Sequence, residues 1–144
     1  PEQESDTSDI HSKLKTMSVN EKRRFALHAK RPARNLLIRD KVKAVHVFVL
    51  KNPRVGSDEV LEYAKLRSLS PDAVRFITTQ KTWMSSKQLV MNLVMNPATP
   101  LDIAVRLVRN MGPKEWRVLQ RSSTVRTQIS TAARKLFHNS PHGR

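Results

Sequence analysis

The strongest constraint on this chain is a segment that returns. Val49-Leu50-Lys51-Asn52-Pro53 is answered 44 residues later by Leu93-Val94-Met95-Asn96-Pro97, and the same 44 residues separate Asp58 from Asp102 and Ala64 from Val108. Ser70-Pro71-Asp72-Ala73-Val74-Arg75-Phe76-Ile77 comes back after 42 residues as Gly112-Pro113-Lys114-Glu115-Trp116-Arg117-Val118-Leu119. A weaker echo, Asn20-Glu21-Lys22-Arg23-Arg24-Phe25-Ala26, lies upstream. Self-similarity at 42–44 residues is a signature of stacked supersecondary units, none of which can bury its apolar face alone. Each unit reads as helix, Asn-Pro corner, helix, then a Pro-started helix.

Helices are expected throughout, because only three glycines occur and apolar residues recur at three- and four-residue steps. Cap signals are frequent: Ser18 before Glu21, Ser70-Pro71, Ser85-Ser86, Thr99-Pro100 and Gly112-Pro113 all suit first turns. The spacing predicts short helices near 18–29, 33–39, 41–51, 57–66, 71–79, 85–95, 100–110, 113–120 and 123–137. The valine-rich run from Val42 to Val49 has a strand as its alternative, since Val45, Val47 and Val49 alternate with other residues. The expected core comprises Phe25, Leu36, Leu37, Val47, Leu50, Val60, Leu61, Ala64, Val74, Ile77, Leu93, Val94, Ile103, Leu107, Leu119, Ile129, Ala133 and Leu136.

Leu50-Lys51-Asn52-Pro53-Arg54, Asp58-Glu59-Val60-Leu61 and Met95-Asn96-Pro97-Ala98-Thr99-Pro100-Leu101-Asp102 resemble the Asn-Pro pattern of leucine-rich-repeat-variant and HEAT-like helical repeats. Met17-Ser18-Val19-Asn20-Glu21-Lys22 and Ala33 to Asp40 are similar to segments of small bacterial proteins built from such repeats. The likeness spans about residues 17–137. It implies a short right-handed all-α solenoid and little about activity; the repeat intervals here alternate instead of holding one period.

Charge supplies the functional signal. The 144 residues carry 27 Lys and Arg against 12 Asp and Glu, a net +15. Four acids, Glu2, Glu4, Asp6 and Asp9, sit in a head with no apolar residue before Ile10, so the rest of the chain is more basic still. Residues 1–12 are expected to be a disordered acidic head, 13–137 the helical-repeat domain and 138–144 a disordered tail. The absence of cysteine excludes disulfide scaffolds, thiolate metal sites and cysteine nucleophiles. No apolar run is long enough to span a bilayer and the N-terminus lacks a signal-peptide pattern, which makes a cytoplasmic location the expectation, on the nucleoid if DNA is bound.

Enzymatic signatures are missing: the five histidines show no ligand spacing, and Asp58, Glu59, Asp72, Asp102 and Glu115 sit where acids favour helix N-termini. No metal or cofactor is expected. Trp83 and Trp116 invite comparison with HEAT-like DNA glycosylases, but a Trp at a repeat corner is better read as core. Binding is the better reading, because a large positive surplus gathers polyanions. Arg67 with Arg109 and Arg75 with Arg117 are each 42 residues apart, and Lys81 with Arg121 are 40 apart, so stacked units would align them as a stripe. A denser cluster, nine cations between Lys22 and Lys43, adds Arg31, Arg34, Arg39, Lys41 and Lys43 as candidates. The expected partner is nucleic acid, DNA ahead of RNA and duplex ahead of single strand given the few aromatic rings, held through phosphates with little sequence readout. The rival readings are a scaffold for an acidic protein segment and, from Arg31 beside Arg34, a site for a small anion such as a cyclic dinucleotide.

Overall fold

The computed structural model describes residues 2–143, with side chains from Ser8 onward. It is all helical, with no strand among the described residues. Eleven α-helices follow in order: α1 Glu2–Lys15, α2 Val19–Ala26, α3 Arg31–Leu37, α4 His46–Leu50, α5 Ser57–Tyr63, α6 Pro71–Thr79, α7 Lys81–Met84, α8 Lys87–Met95, α9 Leu101–Arg109, α10 Pro113–Arg121 and α11 Thr127–His138. Their starts follow local chemistry. Ser18 accepts from the Glu21 N–H while Glu21 reaches back, a capping box. Ser70 and Ser86 accept from Ala73 and Leu89 N–H groups at the heads of α6 and α8, and Pro71 and Pro113 fix the first turns of α6 and α10.

Helices shorter than three turns are unstable alone, so packing must hold them. Each packs on elements close in sequence: α1 on α3, α4 on α2 and α6, α5 on α8, and α11 on α9 and α10. In α9 the buried Ile103, Ala104, Leu107 and Val108 form one stripe while Asp102, Arg106 and Arg109 stay outside. Buried alanines, Ala26, Ala33, Ala64, Ala73, Ala104 and Ala133, let short helices approach closely. Thirteen of the expected core residues are buried; Phe25, Leu36, Val47, Leu61 and Leu136 are half-buried against the core edge.

The repeated Asn-Pro corners have one physical cause. Asn52 is buried, and its Nδ2 donates to the Ala26 and Ala29 carbonyls at 3.0 and 2.9 Å while Oδ1 accepts from Arg54 N–H at 2.9 Å. Asn96 does the same 44 residues on: Nδ2 donates to the Ala64 and Leu66 carbonyls, both at 2.8 Å, and Oδ1 accepts from Ala98 N–H at 2.9 Å. Each corner thus satisfies carbonyls left open where an earlier helix ends, at α2 and at α5.

Several expectations are corrected. The valine-rich run is not a strand: a 3-10 turn over Lys43–Val45 leads into α4, where Val49 and Leu50 bury with Val45, and the described residues hold no strand to pair with it. The helix expected at 85–95 is preceded by a separate turn, α7, because Ser86 caps a new start. Backbone helix extends from Glu2 across the expected boundary at residue 12, and Leu14 buries while Ile10 packs half-buried on the core. In the tail, Pro141–Gly143 forms a 3-10 turn beside the buried Ser140. His46 is fully buried. Its Nε2 lies 2.8 Å from the Asp40 carbonyl and its Nδ1 accepts from Ser70 N–H at 3.1 Å, which fixes a neutral ring protonated on Nε2. Burial pushes its pKa down, against a smaller opposing pull from Asp40.

Candidate nucleic-acid interface

Ion pairing separates structural cations from available ones. Arg34 sits on α3 with its side chain 5 % exposed, its Nε and Nη2 3.0 and 2.9 Å from Glu59 Oε1 on α5 and its Nη1 donating to the Ala29 carbonyl. It cannot face a ligand, and its assignment as a binding residue is corrected: it is the buried weld between α3 and α5. Arg31, on the same helix, lies outside the weld, exposed but paired with Asp58 at 2.9 Å and with Glu59 at 3.4 Å. Burial alone would raise the Glu59 carboxyl; the Gly56 N–H at 2.8 Å, then Arg34 and Arg31, outweigh it and hold the group below its usual range. Tyr63, buried beside this carboxylate, is pushed up to about 12, by burial first and by the Glu59 charge second. The close pair Arg31 and Arg34 is therefore already satisfied by protein acids.

The remaining candidates are exposed: Arg39, Lys41, Lys43, Arg67, Arg75, Lys81, Arg109, Arg117 and Arg121. Arg75 has an acid partner, Asp72 one turn back at 3.3 Å, and Arg39 donates to the Asn35 carbonyl. Apart from Arg75, all eight have no carboxylate partner among the described residues. The aligned pairs occupy unlike settings. Arg75 leans on Asp72, whereas the Arg117 guanidinium stands 5.4 Å from the Phe137 ring centre. Arg109 borders a groove between α9 and α11 with Lys135, Val105 and Leu136, while Arg117 lines a different one with Lys114 and His142.

One concave surface does collect cations. Between α2, α4 and α6 a groove is lined by Arg23, Lys43 and Lys51 together with Phe48, Phe76 and Asp72. The rings position the charges: Arg23 Cζ is 5.5 Å and Lys51 Nζ 5.4 Å from the Phe48 centre, and Lys51 Nζ is 5.9 Å from Phe76. Trp83 packs edge-on to Phe76 at 6.2 Å, behind this pair. Among the described residues Arg23 Nε is buried without a hydrogen-bond partner, an arrangement that costs about 1–3 kcal/mol. Of the candidate cations singled out in the sequence only Lys43 lies here. Lys51 was missed, although its i, i+3 spacing from Phe48 was a readable sign. Trp116, by contrast, packs half-buried against the core and its Nε1 donates to the Val108 carbonyl at 2.7 Å.

Among the described residues no helix is long and apolar enough to cross a membrane. Compared with known proteins, the chain matches no family model, no curated protein and no solved structure.

Proposed function

We propose that this chain is a non-enzymatic binding module, a short α-solenoid of HEAT-like or leucine-rich-repeat-variant units whose basic surface engages nucleic acid. Duplex DNA is the preferred partner over RNA, held through phosphates with little sequence specificity. The observation that carries the reading is the unspent charge: eight exposed candidate cations without a carboxylate partner among the described residues, on a chain of net +15. Such a surface displaces condensed counterions from a polyanion, so affinity falls with salt at a log-log slope of about 0.9 per phosphate contacted. The equivalent Asn52 and Asn96 corners support stacked units. Titrating a random-sequence duplex by fluorescence anisotropy across salt concentrations tests the reading. A slope equivalent to several phosphates is the expected result, and no binding even at low salt removes it.

A second reading, a scaffold for an acidic protein segment, draws on the groove between α9 and α11. There Arg109 and Lys135 flank the apolar Val105, Ala132 and Leu136, a pattern that suits an amphipathic helix with acidic edges.

A further inference from the structure

We propose that the groove between α2, α4 and α6 is a discrete seat for one phosphate group, formed by Arg23, Lys43 and Lys51. For the source of that phosphate, a bound nucleic acid, the proposal rests on the reading above. Three cations line the groove against one carboxylate, Asp72, whose Oδ1 is turned to Arg75 at 3.3 Å. At the helix end Ser70 N–H is taken by His46, Ala73 N–H by the Ser70 hydroxyl, and Pro71 has no N–H, so the positive charge of the groove comes from side chains.

Their chemistry selects the ligand. A guanidinium and two ammonium groups approach from three helical segments, which matches a tetrahedral oxyanion with several acceptor oxygens better than a planar carboxylate with two. Phe48 and Phe76 restrict Lys51 and Arg23 beforehand, so less side-chain freedom is lost on binding.

The test follows backbone amide shifts of the full chain by NMR at constant ionic strength, first with inorganic phosphate and then with a short random-sequence duplex. Saturable shifts confined to α2, α4 and α6 are expected with phosphate. Lys51 is exposed, so Lys51→Met leaves the fold intact; it should weaken the phosphate site about tenfold, and Lys51→Arg should retain it. Shifts that never saturate and spread across α10 and α11, or an unchanged response in Lys51→Met, would overturn the seat. If phosphate fills the groove but the duplex shifts no amide at low salt, the seat stands and the nucleic-acid reading fails. If the duplex binds while the groove amides stay fixed, the seat fails and that reading stands.

Discussion

The Asn52 and Asn96 corners repeat the same hydrogen bonds, yet the residues around them have diverged. At the 44-residue offset Glu59 becomes Ile103, Lys51 becomes Met95 and Phe48 becomes Asn92; at 42 residues Phe76 becomes Val118. The first unit is joined by a buried ion pair and carries the cation-lined groove. In the second, Ile103 is buried where Glu59 stood and Val118 is 59 % exposed where Phe76 borders the groove. What repeats is the backbone's need to close a helix end; what differs is chemistry. The same corner thus sits among different side chains in the two segments, and the first holds the cation-lined groove.

The largest effect expected from breaking this difference is at the weld. Arg34→Met strands a buried Glu59 carboxylate and should cost about 3–5 kcal/mol in urea unfolding. The double change Arg34→Met with Glu59→Ile, the latter being the residue found 44 positions on, should restore most of that loss. If the double variant is as unstable as the single, the ion pair does more than match an apolar contact.

Next come the corners. Asn52→Ala and Asn96→Ala each leave one carbonyl, that of Ala26 or Ala64, without a partner, since Ala29 keeps Arg34 Nη1 and Leu66 keeps the Leu69 N–H, and each should destabilise by about 1–3 kcal/mol. Clearly unequal losses would show that the corners share a pattern but not a role.

Smaller still is the pH effect of His46, which clasps the Asp40 turn to the start of α6 in the first unit. Its folded pKa lies below the unfolded value of about 6.5, so the unfolded chain binds the extra proton first. Stability is then full above about pH 6.5 and declines as pH falls below it. Thermal unfolding between pH 7 and 5 should show this slope, and His46→Gln should flatten it.

The corner was legible because its residues are consecutive: Asn-Pro recurs with its flanking apolar residues, and the same short-range bond pattern follows. Helix starts were legible for the same reason, through Ser18, Ser70 and Ser86. The groove was not, since Arg23, Phe48 and Phe76 meet only after three helices pack. Arg34 was misread because Glu59, its partner, is 25 residues away, and a cation's neighbours in sequence say nothing of that. The start of α1 is not legible because its first turns are acidic and polar, and only Ile10 and Leu14, near its end, sit against the core.

The most direct measurement reverses charge in one unit at a time and reads duplex affinity against salt. Lys43→Glu with Lys51→Glu in the first unit should lower both affinity and salt slope more than Arg109→Glu with Arg117→Glu in the second. Equal affinity and slope in both variants and the unaltered protein would contradict a phosphate-binding surface centred on the first unit.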